Sequence, residues 1–355
     1  MPARNHKKWL EKPQVDYISS ECYSSKKLYE QELEHIFSKV WIPMCHTSEL
    51  PNKEDFRAIE IAFKKVVAVN HGNEIKVYLN PYLNVTTGTG INTEGLIELH
   101  SGVQHGGMVW VTLNDNPTQS ITEWTDGAFD CIADAIDTEE LEVFHYHKAI
   151  IDTNYKLWHD TNSEFYHDYM HYHNRVTGFN DEYFARENIP FKNGHVNVSS
   201  FTVKYEEFEG GKDRGELSFP TLPPNQWYMV DLFPGYNFNL RGSAYRSDSI
   251  TPLGPNKVLI EFRGYGLKKD TKEERNIRIA HHNSIWGPMG RNLHEDLLGV
   301  TGQGASMQEG TERRNILHGR QENNRIHDEV GMRHYYAEWG RYLNVDPVNP
   351  LQVEA

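Results

Sequence analysis

Apolar residues recur at helical spacing near the start of the chain and then give way to short alternating runs. Residues 25–40 are apolar at every third or fourth position, which predicts one amphipathic helix. Five β-like runs bounded by turn residues follow, at 39–44, 56–62, 65–70, 75–79 and 108–113. The pattern predicts an N-terminal helical segment followed by a small all-β unit.

Longer elements are predicted in the second half of the chain. Residues 155–172 contain neither glycine nor proline, so they are expected to form one continuous helix. Strands are predicted at 141–153, 196–208, 226–232, 236–239 and 257–264, and helices at 272–285 and, with interruptions, at 317–343. Strands followed by helices, without strict βαβ alternation, indicate an α+β architecture.

Composition and charge argue against several classes of function. The chain has 355 residues, enough for two domains, and its net charge of −14 disfavours a nucleic-acid partner. No apolar run approaches the roughly 18 residues that cross a bilayer, and residues 1–14 are polar and basic. We therefore expect a cytoplasmic protein without a membrane partner. The three cysteines lie too far apart in sequence to form a CxxC pair.

The 19 histidines are the compositional anomaly, and three of them, His167, His171 and His173, lie within seven residues. On the predicted helix, His167 and His171 project from one face, with Glu164 one turn earlier. Two imidazoles and one carboxylate from elsewhere would make a facial triad, which leaves three positions of an octahedral iron(II) open for dioxygen and substrate. Most single histidines have no such role, and the adjacent His281 and His282 are expected to be solvated.

Four segments resemble the α subunits of Rieske non-heme iron oxygenases, which hydroxylate aromatic rings. Residues 154–157 and 164–167 are similar to the family signature NWKL…E/D-x-Y-H, and residues 285–296 to the segment FGPAG…DD. Residues 330–339 resemble the closing GVRAFYREW helix, and 37–43 the entry of the family. The resemblance implies an N-terminal helical segment (1–37), a degenerate Rieske-like β domain (38–140) and a catalytic helix-grip domain, an antiparallel sheet with helices (141–355).

The resemblance also implies the ligands of a mononuclear iron(II). They would be His167, a second histidine and Asp296. Family members usually place the second histidine five residues after the first, where this chain has Tyr172. His171 is favoured because a spacing of four suits a helical face, and His173 is the alternative.

Three more residues acquire expected roles from the same alignment of motifs. Glu164 falls where the family has the acid that links an iron ligand to the cluster of the neighbouring subunit, which implies a catalytic role. His294 and Glu295 lie beside Asp296 in sequence and are the fallback ligands.

The ligands of the Rieske cluster are expected to be missing. The family holds a [2Fe–2S] cluster through C-x-H and C-x-x-H pairs. Where the family reads N-x-C-x-H, this chain has Tyr82 in place of cysteine and Asn84 in place of histidine, and residues 85–101 contain no cysteine. Because neither a phenol nor an amide replaces a thiolate on an iron–sulfur centre, we expect no cluster in this chain.

The implied function is that of a non-heme iron(II) mono- or dioxygenase component. It would hydroxylate, dihydroxylate or demethylate a small organic substrate with O₂, expected to be aromatic and to belong to aromatic hydrocarbon catabolism. Electrons would come ultimately from NAD(P)H, through a cluster-bearing Rieske oxygenase subunit, a Rieske-containing reductase or a ferredoxin. A trimeric or hexameric hetero-oligomer is implied. The alternatives are a non-catalytic structural or regulatory subunit and a ligand-binding protein on the helix-grip fold.

Overall fold

The computed structural model describes residues 17–172, 174–175, 179–204, 215–309, 315–317 and 325–351. The strands in these residues are β1 (Tyr17–Ser19), β2 (Ile42–His46), β3 (Asp55–Ile61), β4 (Lys64–Asn70), β5 (Ile75–Leu79), β6 (Thr87–Thr89), β7 (Ile97–Leu99), β8 (Ser101–Gln104), β9 (Met108–Val111), β10 (Leu141–Ile151), β11 (Asn188–Pro190), β12 (Val196–Thr202), β13 (Gln226–Leu232), β14 (Tyr236–Arg241), β15 (Ala244–Gly254), β16 (Lys257–Leu267) and β17 (Asn315–Leu317). The helices are α1 (Glu21–Ser24), α2 (Lys26–Glu32), α3 (Ile121–Thr125), α4 (Ala133–Asp137), α5 (Tyr155–Ser163), α6 (Asp181–Phe184), α7 (Lys272–Trp286), α8 (Arg291–Glu309) and α9 (Val330–Leu343). Among them, no helix combines the length and the apolar composition that a bilayer crossing requires.

Two groups of antiparallel sheets divide the described chain. The N-terminal β unit contains a three-stranded sheet, β2-β9-β8, and a five-stranded sheet, β6-β3-β4-β5-β7. A seven-stranded sheet follows, in the order β10-β16-β15-β14-β13-β12-β11, and β1 pairs with β17. Helices pack on this large sheet, with α7 against β15 and β16 and α5 against β13 to β15. The predicted α+β class is confirmed.

The register of the seven-stranded sheet gives one face a polar lining. His145 of β10 pairs with Gly264 of β16, and Gly264 pairs with Arg246 of β15. Two residues further on, His147 pairs with Phe262, and Phe262 with Asp248. Because alternate residues of a strand share a face, both rows lie on the face that α5 and α7 cover. There the ring of Trp158 packs on Phe262.

The predicted continuous helix over residues 155–172 is wrong. Helix α5 ends at Ser163, Glu164 is extended (φ −110°, ψ 149°), and a separate 3₁₀ turn, Tyr166–Tyr169, follows. The Glu164 carboxylate explains the break, because its Oε2 accepts the backbone N–H groups of Tyr166 (2.8 Å) and His167 (3.1 Å) and so caps the new turn. His167 therefore projects from a capped 3₁₀ turn, and not from the face of an α-helix.

A buried ion network joins the β unit to the opposite face of the seven-stranded sheet. Arg57 of β3 donates to Glu261 of β16 at 2.8 Å, and Arg263 of β16 donates to Glu49 at 2.8 Å. The Arg57 and Glu261 side chains are only 6% and 7% exposed. Tyr146 of β10 donates to the same Glu261 carboxylate. Since each charge has its partner on the other unit, the network holds the two units in one relative position.

We expect Glu261→Gln to lower the free energy of unfolding by about 2 kcal/mol, because it leaves the buried Arg57 facing a neutral amide. Urea denaturation followed by tryptophan fluorescence measures this. The control is Glu140→Gln, whose partner Lys268 is 66% exposed and whose loss should not change stability measurably. Equal effects of the two substitutions would contradict the role given to the network.

Candidate metal centre

Two imidazoles and one carboxylate converge below the start of α8. The Oδ1 atom of Asp296 lies 3.0 Å from Nε2 of His171 and 3.6 Å from Nε2 of His167. Neighbouring ligands of an octahedral ion with bonds of about 2.1 Å lie about 3.0 Å apart, so the spacing fits such an ion. Asp296 Oδ1 is buried, and the His171 imidazole is its partner. The structure thus brings together the three residues that the resemblance implied.

Each imidazole is also hydrogen-bonded, through its other ring nitrogen, to a glutamate carboxylate. Nδ1 of His167 lies 2.6 Å from Oε1 of Glu164, and Nδ1 of His171 lies 2.6 Å from Oε2 of Glu295. A carboxylate at Nδ1 fixes a proton there and directs Nε2 toward a metal, an arrangement that is general for metal-binding histidines. The amide nitrogen Nδ2 of Asn292 lies 3.0 Å from Nε2 of His171. Glu295 therefore hydrogen-bonds to a candidate ligand, His171. It does not occupy a ligand position itself, which was its fallback role in the sequence analysis.

The turn between α7 and α8 orients the carboxylates of Glu295 and Asp296 toward the histidines of the candidate metal centre. Gly290 lies in this turn, and a Cβ atom there would collide with the backbone of Ile285. Only glycine allows this close approach of the two helices. The first turns of α8 then point Glu295 and Asp296 toward the 3₁₀ turn that carries His167.

Asp168 is a site residue that the sequence reasoning missed. Its Oδ1 lies 3.7 Å from Nε2 of His167 and 3.9 Å from Nε2 of His171. Its Oδ2 accepts a hydrogen bond of 2.7 Å from the hydroxyl of Tyr183. Asp296 is closer to both imidazoles and has no competing donor, so it is the better third ligand. The available signal for Asp168 was an acid directly after the first histidine.

Of the remaining histidines that the sequence analysis considered, one lies outside the described residues, one is exposed and two are buried. His173 lies outside the described residues, so the alternative second ligand has no structural description here. His294 is exposed on α8. The expectation that His281 and His282 are solvated is wrong, because both are buried. His281 bonds to Ser243 Oγ at 2.8 Å, and the His282 ring lies against Gly264, where a Cβ would come within 2.6 Å of it.

The electrostatics of the cluster suit a cation. Although burial lowers the pKa of His167, the charge and hydrogen bond of Glu164 raise it to about 10. Although burial raises the pKa of Asp296, the hydrogen bond and charge of His171 hold it below its usual range. Four carboxylates, Glu164, Asp168, Glu295 and Asp296, thus face two imidazoles. A divalent ion takes the place of the imidazole protons in such a set, and the donors fit iron(II).

A cleft that is open to solvent reaches this cluster. His171 and Asp168 form part of its wall, next to the aromatic side chains of Tyr183, Phe201 and Trp227. The same wall contains three basic residues, Lys204, Arg241 and Arg291. The cleft therefore combines access to the candidate ligands with three cationic side chains against two carboxylates, Asp168 and Glu295, in a chain of net charge −14.

The loop after β5 differs from a cluster-binding loop. Tyr82 is 84% exposed, and its backbone N–H donates to the side chain of Asn80 in a tight turn. Asn84 accepts a hydrogen bond from Lys65 Nζ at 3.0 Å. In the part of the chain that the structure describes, no group of converging ligand atoms contains a cysteine. These residues do not fit a [2Fe–2S] cluster.

The cysteine side chains lie elsewhere and stay protonated. Burial raises the pKa of the Cys131 thiol to about 12, and burial raises the pKa of Cys22 and Cys45 as well. His46, which follows Cys45, has both ring nitrogens within hydrogen-bond distance of other groups, Ser48 Oγ and the Gly106 carbonyl oxygen. In the described residues, none of these thiols lies in a group of converging ligand atoms.

Comparisons with known proteins agree with the fold and the site. The chain is 51% identical to the methanesulfonate monooxygenase hydroxylase subunit alpha of Methylosulfonomonas methylovora, over 99% of this chain and 97% of that one. It is 33% identical to the 2-aminobenzenesulfonate 2,3-dioxygenase subunit alpha of Alcaligenes sp, over 92% and 94% of the two chains. The alignment with the first relative has 404 positions for 355 residues, so at least 49 of its positions face gaps in this chain.

The fold is also similar to a solved oxygenase. Naphthalene 1,2-dioxygenase from Rhodococcus sp. superposes with a TM-score of 0.76 at 16% identity, over 95% of this chain and 96% of that one. Residues 138–344 match the family described as the ring hydroxylating alpha subunit (catalytic domain). The chain belongs to this family of Rieske-type oxygenase α subunits and is an oxidoreductase component.

Proposed function

We propose that this chain is the iron-bearing subunit of an oxygenase for small sulfonates, and that its electrons come from a Rieske cluster on another chain. The observation that carries the proposal is the arrangement of His167, His171 and Asp296, with each imidazole held from behind by a glutamate. An idle site has no physical need for two such carboxylate–imidazole pairs, which favours a catalytic over a purely structural subunit.

The three residues would hold iron(II), which supplies dioxygen activation at the positions they leave open. Glu164 and Glu295 keep a proton on Nδ1 of each imidazole and so fix both ring orientations. Tyr183 holds Asp168 through its Oδ2. Asp168 Oδ1 stays on the metal side, where it is able to accept a proton or orient a bound water.

The proposed absence of a cluster has three supports. Tyr82 and Asn84 stand where the family is expected to have cysteine and histidine, the three cysteines lie in other parts of the chain with Cys22 and Cys45 buried, and at least 49 positions of the methanesulfonate relative face gaps in this chain. A chain with the iron ligands and without the cluster has no internal electron donor.

The proposed donor is a partner that docks beside Glu164. Exposed apolar side chains surround this residue in sequence: Tyr166, Tyr169, Met170 and Tyr172 are 38–60% exposed. A contiguous exposed apolar surface marks an interaction site. We place here a cluster-bearing α-type subunit, in a trimeric or hexameric hetero-oligomer, or a Rieske-containing reductase or ferredoxin. We also propose that NAD(P)H is the ultimate electron source and that the assembly is cytoplasmic.

The sulfonate substrate rests on the names of two relatives and on the cleft. Methanesulfonate and 2-aminobenzenesulfonate share a sulfonate group and differ in the carbon that bears it. The basic wall of the cleft, with Lys204, Arg241 and Arg291, suits a substrate with that charge. This replaces the broader expectation of an aromatic hydrocarbon with an organic sulfonate, alkyl or aromatic.

Metal analysis of the purified chain tests the proposal directly. We expect about one iron per chain after anaerobic loading with iron(II), and no acid-labile sulfide, since the triad is complete while the cluster ligands are replaced. A brown protein with Rieske-type visible absorption would refute the absence of a cluster. A protein that takes up no iron would favour the ligand-binding alternative.

Ligand substitutions separate the candidate donors. His167→Ala, His171→Ala and Asp296→Ala should each weaken iron binding by about 100-fold or more, because two fixed donors remain where three converged. Asp168→Asn should retain iron, and the matched control His294→Ala, on the exposed side of α8, should bind as wild type does. Competition with a chromophoric chelator measures the affinities. Loss of iron in Asp168→Asn with retention in Asp296→Ala would reverse the choice of carboxylate.

Glu164→Gln should differ in kind from the ligand variants. The amide still caps the 3₁₀ turn, so iron should stay bound, but the carboxylate that orients His167 and faces the donor is gone. We expect turnover with a cluster-bearing partner to fall about tenfold or more. Glu295→Gln, which keeps the donor face intact, is the control for orientation alone. Normal turnover of Glu164→Gln would remove Glu164 from the electron path.

A further inference from the structure

A group of buried hydrogen-bonding atoms on the polar face of the sheet has no partner. They are Nη1 of Arg246, Nε2 of His147, both ring nitrogens of His282 and the indole nitrogen Nε1 of Trp286. Arg246, His282 and Trp286 are at most 3% exposed. An unsatisfied buried donor destabilises the folded state, and more so when it is charged. Such a concentration of unpaired atoms indicates a site built for a ligand.

These atoms belong to side chains that pack against one another. The Arg246 guanidinium lies 4.8 Å from the centroid of the Trp286 ring, and the rings of His282 and Trp286 are 5.8 Å apart. His282 lies 4.6 Å from His145, which in turn bonds to Nδ1 of His147 at 2.8 Å. The group therefore forms one continuous lining between β10, β15 and the end of α7.

Arg246 is fixed in orientation by its neighbour on the same face of β15. Nε and Nη2 of Arg246 each lie 2.7 Å from an oxygen of Asp248. This two-point contact uses one edge of the guanidinium and turns Nη1 away from Asp248. Asp248 thus acts as a positioning residue, and Arg246 presents a charged donor without freedom to swing away.

The lining contacts one wall residue of the cleft and lies within electrostatic range of a candidate metal ligand. Arg241, in the wall of the cleft, has its guanidinium 5.2 Å from the same Trp286 ring. On the other side, the charge of Arg246 is among the groups that lower the pKa of Asp296, after those of His171 and His167. The Trp286 ring therefore contacts both arginines, one in the wall of the cleft and one near Asp296.

We propose that Arg246 Nη1, Trp286 Nε1 and the imidazoles of His147 and His282 bind the oxyanion head of the substrate, a sulfonate, with Arg241 on the entry side. This inference rests on the proposed function for the identity of the anion. It goes further in assigning the residues that select a sulfonate over a neutral molecule of the same shape.

An anion suits this lining better than a cation or water. Two guanidinium groups flank Trp286, and Asp248 takes up one edge of only one of them, so cationic donors remain for an anion. Burial lowers the pKa of His147 to about 4 and that of His282 well below its usual range, so each ring is neutral and carries one N–H. Three sulfonate oxygens accept from these donors together, as charge-assisted hydrogen bonds require.

Calorimetric titration of the full chain, metal-free and iron-loaded, tests the assignment. The probes are methanesulfonate and benzenesulfonate, each with a neutral counterpart of similar shape, dimethyl sulfone and methyl phenyl sulfone. We expect at least one sulfonate to bind and its sulfone to bind at least tenfold more weakly. No binding of either sulfonate, or equal binding of the sulfones, would overturn the proposal.

Variants then locate the site. Arg246→Met combined with Asp248→Asn removes both charges together, which avoids an uncompensated buried carboxylate, and should weaken sulfonate binding about 100-fold. Trp286→Phe, which removes only the N–H, should weaken it about tenfold. His281→Gln, next to His282 and bonded to Ser243, is the matched control and should bind as wild type does. Binding of the double variant within threefold of wild type would overturn the proposal.

Failure of this inference is distinguishable from failure of the proposed function. A chain that takes up iron and oxidises a sulfonate, but binds it equally well in the double variant, keeps its function and loses this site. A chain that binds sulfonates through Arg246 but takes up no iron keeps the site and loses the oxygenase function.

Discussion

An ionised side chain can be buried only where an opposite charge or a full set of hydrogen bonds faces it, and the seven-stranded sheet buries charges on both faces. On one face, Glu261 and Arg263 meet Arg57 and Glu49 of the β unit. On the other face, Arg246 meets Asp248. Because adjacent residues of a strand point to opposite sides, β16 ties the β unit to the sheet at Arg263 and leaves space for His282 at Gly264, one residue later. The position of the β unit and the shape of the interior are thus set by the same strand.

The candidate metal centre depends on a similar use of carboxylates. Glu164 caps a 3₁₀ turn with Oε2 and holds the His167 imidazole with Oε1. One side chain therefore ends helix α5, positions the backbone of the turn and orients a candidate ligand. Glu295, on α8, orients the other candidate ligand, His171, in the same way. The local fold and the ligand geometry are consequences of the same hydrogen bonds, which is why the acids recur beside the histidines in the sequence.

The parts of the fold that follow simple periodicity could be predicted, and the polar interior could not. Strand β13 lies where its apolar run predicted it, over residues 226–232. Strand β15 was missed because it contains Arg246 and Asp248, which look like surface residues in sequence and are buried as a pair. Helix α8 was missed because Gly299, Gly302 and Gly304 weaken its helical signal. Gly304 packs against Thr153, where a Cβ would come within 2.6 Å of the side-chain oxygen.

The candidate site, like the fold, could be predicted where it rests on sequence motifs and could not where it depends on tertiary contacts. His167, His171 and Asp296 could be proposed from the motifs, whereas the position of Asp168 beside both imidazoles depends on the break after α5, which no periodicity predicts. His282 looked solvated because its own helix is polar, and only the missing side chain of Gly264 on another strand gives it a buried place. Residues that bind ligands break the patterns by which folds are predicted, since a buried polar lining serves the ligand and not the core. In this chain, β15, which sequence reasoning missed, and the end of α7, whose histidines it expected to be solvated, contribute three of the four side chains of the proposed sulfonate site. The two histidines of the candidate metal centre follow the Glu164 break. The errors of prediction therefore coincide with the places where the chain departs from what a stable core alone requires.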